Sequence, residues 1–141
     1  MPKENISFLK NDAIRNSVDS AVRQMQKISG FEQVQFIILY GSVIEGRMNR
    51  ESDIDLCVYY DGVPGDASQF RHRVLSELSG TRYDVQIFQQ LPLYVRVEVI
   101  RGLPVFVRNT RFLYERATDT LRDFGDFKHR LYDYTGQVLI Q

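Results

Sequence analysis

Residues 39–56 read Leu39-Tyr40-Gly41-Ser42-Val43-Ile44-Glu45-Gly46-Arg47-Met48-Asn49-Arg50-Glu51-Ser52-Asp53-Ile54-Asp55-Leu56. Asp53 and Asp55 stand two apart at the start of an apolar run, so in a strand both carboxylates point to one side. Their Cα atoms would lie roughly 6–7 Å apart. Like charges so placed repel, and hard oxygen ligands of this kind suit Mg²⁺, which keeps waters and recruits substrate phosphates. A third carboxylate from a neighbouring strand would complete a site for two metal ions about 3.5–4 Å apart, the arrangement used for in-line phosphoryl displacement. Asp84 is the natural candidate. Gly41 lets the backbone turn sharply at a strand end and approach a ligand closely. Ser42 then presents its hydroxyl and nearby amide N–H groups to phosphate oxygens. An Asp-x-Asp pair alone is common on solvated strand ends. Joined to a Gly-Ser step, with ten residues between Ser42 and Asp53, it favours a metal–nucleotide site with a nucleoside triphosphate as ligand.

Outward from this stretch the elements alternate. Upstream, Ile14, Val18, Val22, Met25 and Ile28 lay one apolar stripe along a helix over about Asn11–Ser29, with Asn11 as N-cap and Gly30 as the left-handed stop. Val34 to Tyr40 is nearly continuously apolar, which is how a strand covered on both faces reads. Downstream, Asp53 to Tyr60 is a strand and Asp61-Gly62-Val63-Pro64-Gly65 a turn. Asp66 caps a short helix carrying Phe70, Val74 and Leu78 that Gly80 ends. Arg82 to Phe88 alternates as a strand, with Asp84, Gln86 and Phe88 on one face. Residues 92–100 fit either a strand (Val95, Val97, Val99) or a helix opened by Pro92 (Leu93, Val97, Ile100). Pro104 to Val107 predicts a short edge strand, because a proline cannot donate to a ladder. A long helix follows, with Thr110 as cap, Gly136 as stop, and a stripe of Leu113, Ala117, Leu121, Phe124, Lys128 and Leu131. The fold class is α/β (α+β): a small mixed sheet with flanking helices, in one domain over residues 1–141.

Composition removes several classes. Lys+Arg and Asp+Glu each count 18, so the formal net charge is zero. No basic patch marks a general nucleic-acid binder. The longest uncharged stretch, Gln33 to Ile44, holds 12 residues, too short to cross a bilayer. The charged N-terminus argues against a secretory signal. A single cysteine, Cys57, fits a reducing compartment, and the expected location is cytoplasmic. Cys57 shares the face of Asp53 and Asp55 but lies further along the strand and reads as packing. His72 and His129 are lone histidines without a second ligand nearby. Arg47 and Arg50 are placed to touch a triphosphate or to remain loop charges. Phe124 reads as packing on its own domain, whereas Tyr132 and Tyr134 are open to a partner.

Gly-Ser, ten residues, then Asp-x-Asp resembles the signature of the nucleotidyltransferase superfamily of DNA polymerase β, and within it the minimal stand-alone (MNT) branch. Gly41, Ser42, Asp53 and Asp55 meet that signature, and Asp84 falls where the family places its third carboxylate. The segment Gln89–Arg108 and the helix Leu113–Tyr134 are similar to those of MNT antitoxins paired with HEPN toxins. The resemblance implies a polymerase β palm-like fold and an Mg²⁺-dependent transfer of AMP from ATP, with two Mg²⁺ ions on Asp53, Asp55 and Asp84 and the triphosphate on Gly41 and Ser42. It also implies that the acceptor is a tyrosine on a HEPN-type RNase toxin, so that the protein is the antitoxin of a toxin–antitoxin pair. Two alternatives stand beside it. One is the same chemistry on a small, aminoglycoside-like acceptor, for which the chain has little room. The other is a binding protein that neutralises a toxin without catalysis. A homo-oligomer is compatible with either.

Overall fold

The structure, a computed structural model, describes residues 12–41, 53–78 and 82–135, with side chains as far as 132. Helix α1 spans Asp12–Gln26, strand β1 Val34–Tyr40, β2 Ile54–Tyr60, helix α2 Pro64–Glu77, β3 Tyr83–Ile87, helix α3 Leu93–Ile100, β4 Leu103–Val107 and helix α4 Thr110–Thr135. The four strands form one mixed sheet in the order β3-β2-β1-β4. β1 runs antiparallel to both β2 and β4, while β2 and β3 are parallel. The expected mixed sheet with flanking helices and a long C-terminal helix is therefore what the chain forms.

Both sheet faces are covered, and this explains the unbroken apolar run of β1. Ile37, Leu39, Ile54, Leu56, Val58, Val85 and Ile87 face α1 and α2, meeting Val18, Met25, Phe70 and Val74. Phe36, Ile38, Cys57 and Phe88 face the other way, against Val99 of α3 and Leu113 of α4. Val34 packs with Ile37 and Leu39, despite the odd spacing, because the register shifts between Val34 and Phe36. The extra residue of such a bulge moves a side chain from one face to the other. Tyr83 Oη donates to Ser17 O at 3.0 Å, and Arg71 Nε to Val85 O at 2.6 Å. These two bonds tie α1 and α2 to the edge strand β3.

Helix ends differ from the sequence expectations in instructive ways. α1 stops at Gln26, earlier than Ser29, because tighter turns follow: Ile28 N–H donates to Met25 O at 3.0 Å and Phe31 N–H to Ile28 O at 3.1 Å. Gly30 does adopt the left-handed conformation, φ 99°. Its proposed counterpart Asn11 lies outside the described residues. α2 is not capped by Asp66. It starts at Pro64, with Val63 as N-cap. A proline at the first helical position lacks only an N–H that would have no intrahelical partner. Asp66 sits inside the first turn, where its charge suits the helix dipole. The helix ends at Glu77, before Gly80, which is outside the described residues, as is Gly136.

Residues 93–100 form a helix. Val95, Val99 and Ile100 pack on the sheet, so tertiary contact decides against the β-propensity of three valines. β4 is an edge strand, as its proline required. α4 is capped by Asn109 rather than Thr110: Asn109 Oδ1 accepts from Phe112 N–H at 3.1 Å. Along α4 the buried stripe runs through Leu113 and Thr120, whose hydroxyl donates to Arg116 O at 2.8 Å. Leu121 is instead 50% exposed and Leu131 38%.

Candidate active site

β1 ends, and β2 and β3 begin, in one polar row. Tyr40 is the Cα partner of Asp55, and Asp55 is the Cα partner of Asp84. The row therefore crosses three adjacent strands on the face that α3 and α4 cover further along. One row deeper, Ile38, Cys57 and Gln86 are partnered in the same way. Deeper still, Phe36, Tyr59, Phe88 and Phe112 form an aromatic cluster, with Phe36 and Phe88 centroids 5.7 Å apart and Tyr59 and Phe112 5.0 Å apart. The acidic row stands where that apolar packing ends. Asp53, one pleat before Asp55, is exposed.

Gly41 follows Tyr40 with φ 83°. A Cβ there would collide with Asp55 Oδ2 and approach its Cγ to 3.2 Å. Besides allowing the turn, the glycine thus leaves the space that the Asp55 carboxylate occupies. Asp55 is half-buried, and its pKa is raised to about 6, first by burial and then by the charges of Asp84 and Asp53. The Tyr40 phenol is pushed well above its usual range by burial, Cys57, Asp55 and Asp84, so it stays neutral in this row. Burial likewise raises the Cys57 thiol, which is inert packing, as its position along the strand implied. At the start of β3, Arg82 O accepts from Ile54 N–H, and Arg82 Nε is buried without a hydrogen-bond partner among the described residues.

The structure brings Asp55, Asp84 and Gly41 together, and Asp53, immediately before β2, is near enough for its charge to raise the Asp55 pKa. Ser42, Arg47 and Arg50 lie outside the described residues. His72 is exposed on α2, away from this row. Sequence reading passed over Tyr40 and Gln86. Both were findable from alternation, since Tyr40 ends the strand at the Gly41 corner and Gln86 shares the face of Asp84. Gln86 Nε2 donates to Asp84 Oδ1 at 3.0 Å.

Among the described residues, no three His, Cys, Asp or Glu side chains converge into a finished metal cage. The donors present are hard carboxylate oxygens, crowded enough to raise one pKa, and they fit a divalent ion whose remaining ligands are water and phosphate. Such a row attracts a cation and, without one, repels a phosphorylated ligand.

Comparison with known proteins gives four findings. A family model described as polymerase beta, nucleotidyltransferase, matches residues 24–111. A Methanocaldococcus jannaschii protein provisionally named a protein adenylyltransferase is 32% identical over 95 residues, covering 67% of this chain and 73% of the relative. Among solved structures, a chain of a toxin–antitoxin complex crystallised with AMP-PNP is similar at TM-score 0.64, with 18% identity over 88% of this chain and 97% of that chain. A chain of the complex between tri-AMPylated Shewanella oneidensis HEPN toxin and its MNT antitoxin is similar over 99% of both chains, at TM-score 0.57 and 15% identity. At these identities the structural likenesses establish the fold.

Proposed function

The chain belongs to the polymerase beta nucleotidyltransferase family, and from that premise we propose that it transfers AMP from ATP to a tyrosine hydroxyl of a HEPN-type toxin, acting as the antitoxin of the pair. The observation that carries the reading is the register of the acidic row: Asp55 directly opposite Asp84, beside a glycine that clears room for the Asp55 carboxylate. Asp53 and Asp55 would hold two Mg²⁺ ions, and Asp84 the one nearer the acceptor. When bound, these ions supply positive charge to the reacting phosphate and lower the pKa of the attacking hydroxyl.

The acceptor oxygen bonds to the α-phosphorus as the bond from that phosphorus to the bridging oxygen of pyrophosphate breaks. The hydroxyl proton passes to solvent, and pyrophosphate leaves. Gly41 and Ser42 hold the β- and γ-phosphates through the backbone and a hydroxyl, stabilising the charge that gathers on the leaving group. Tyr40, neutral and half-buried, completes the row without adding a further charge.

A protein acceptor is favoured by two observations. The relative from Methanocaldococcus jannaschii is named for acting on protein, and the far half of α4 exposes Phe127 and Leu131, 46% and 38%. The cell compartment consistent with this reading is the cytoplasm; among the described residues no helix is long and apolar enough to cross a membrane. The test is transfer of label from α-phosphate-labelled ATP to the co-expressed toxin. Asp53→Ala and Asp55→Ala should each reduce transfer at least about 10³-fold while leaving the circular dichroism spectrum unchanged. Full transfer by a folded double variant would place the chemistry elsewhere.

A further inference from the structure

Asp84 is on β3, an edge strand of the sheet. Among the described residues no strand lies beyond it to flank Asp84, whereas Asp55 is flanked by β1 and β3. A carboxylate that must share a cation has to be held in one rotamer, and ligand partners in the next layer commonly do this through a hydrogen bond. Gln86, two residues on and therefore on the same face, supplies that bond from Nε2 to Asp84 Oδ1 at 3.0 Å. Its row neighbours are Cys57 and, beyond it, Ile38, both buried. An aliphatic residue would continue that apolar row equally well, yet the chain carries a carboxamide there, half-buried and bonded toward the acidic row.

We propose that Gln86 is a positioning residue, holding Asp84 Oδ1 so that the carboxylate is presented to a divalent cation in a single orientation. The inference rests on the metal-dependent reading above. The chemistry of the amide suits the task. A neutral donor restrains the oxygen without taking up Oδ2, whereas a lysine or arginine at this position would neutralise the carboxylate and compete with the cation. The amide occupies one lone pair of Oδ1, and the remaining carboxylate lone pairs stay available.

The test uses Mn²⁺ as a spectroscopic substitute for Mg²⁺, titrated into the full chain with a non-hydrolysable ATP analogue and followed by electron paramagnetic resonance. Gln86→Met keeps length and volume and removes the donor. It should weaken Mn²⁺ binding by about 10–100-fold, the usual effect of losing such a partner, while the metal-free melting temperature stays at the wild-type value. In label transfer, the half-saturating Mg²⁺ concentration should rise by a similar factor, with kcat approaching wild type at saturating metal. If Gln86→Met does not fold, Gln86→Asn, one methylene too short to make the bond, takes its place with the same expectation. Wild-type Mn²⁺ affinity in either folded variant overturns the role of Gln86. Absence of Mn²⁺ binding by the wild-type chain overturns the metal reading, and this inference with it.

Discussion

The two faces of the sheet are built from the same strands and serve opposite ends. Toward α1 and α2 every central position is apolar and closed: Leu39, Ile54, Leu56, Val85, Phe70 and Val74 are 0% exposed. Toward α3 and α4 the face changes along its length, from the aromatic cluster through Ile38 and Cys57 to Tyr40, Asp55 and Asp84. The apolar face gains free energy from burial. The acidic end loses some, because partly buried carboxylates are brought together without a counter-charge of their own. Stability and chemistry are thus separated by face and by row, and variants on either side should dissociate the two.

The largest expected contrast is in activity. Removing the Asp53 or Asp55 carboxylate should cost at least about 10³-fold in AMP transfer with little loss of stability, since neither side chain packs in the core. Across the sheet the balance reverses. Phe70→Ala deletes a ring that is 0% exposed and stacks on Tyr60 with centroids 5.1 Å apart. It should lower unfolding free energy by about 3–5 kcal/mol, read by urea denaturation, and the remaining folded fraction should bind nucleotide as the wild type does. A stable Phe70→Ala protein that had lost only nucleotide binding would contradict the division of labour between the faces.

Much of this division was legible in the sequence. The period-two pattern of residues 82–88 put Asp84 and Gln86 on one face, and the spacing of Asp53 and Asp55 put both on one side of β2. The register that sets Asp84 against Asp55 was not legible, because parallel pairing is fixed by tertiary packing and by no local turn. Nor was the second role of Gly41, since the clash it avoids is with a residue 14 positions away in sequence. Helix ends were misread for a similar reason. Asn109 and Thr110 are both good caps, and only the hydrogen bond to Phe112 N–H decides between them. The valines of α3 read equally as strand until the sheet beneath them is known.

A smaller effect tests the strain at the acidic end directly. With Asp55 raised to about 6 from an ordinary value of 3.8, the carboxyl releases its proton later in the folded state than in the unfolded chain. The native state is therefore favoured by protonation: stability is fully present below about pH 4 and declines as pH rises to about 6. Asp55→Asn removes the charge and should raise metal-free stability at pH 7 by roughly 1 kcal/mol, a figure discounted because the group is half-exposed and screened. The gain should vanish at pH 4. Saturating Mg²⁺ with an ATP analogue should abolish or reverse it by stabilising the wild type alone. A variant no more stable than wild type at pH 7 would mean that solvent already relieves the repulsion between Asp55 and Asp84.

The smallest effect on stability is expected where α4 leaves the sheet. The helix has 26 residues, about 39 Å at 1.5 Å per residue, while a seven-residue strand such as β1 spans roughly 23 Å. The spacing of Leu113, Ala117, Thr120, Phe124, Phe127 and Leu131 continues one stripe along the helix, but among the described residues its far half is not covered. Leu113 and Thr120 are buried at 7% and 3% exposure, whereas Phe127 and Leu131 are exposed. Phe127→Ser with Leu131→Ser should therefore change unfolding free energy by no more than about 0.5 kcal/mol, as expected for surface positions. If this half of α4 meets the toxin, the same double variant should lose stable co-elution with it and AMP transfer to it, while ATP-analogue binding by the isolated chain stays intact. An unchanged complex with unchanged transfer would move the toxin contact to another surface. A melting temperature lowered by many degrees would instead show that the far half of α4 folds back and packs on its own domain.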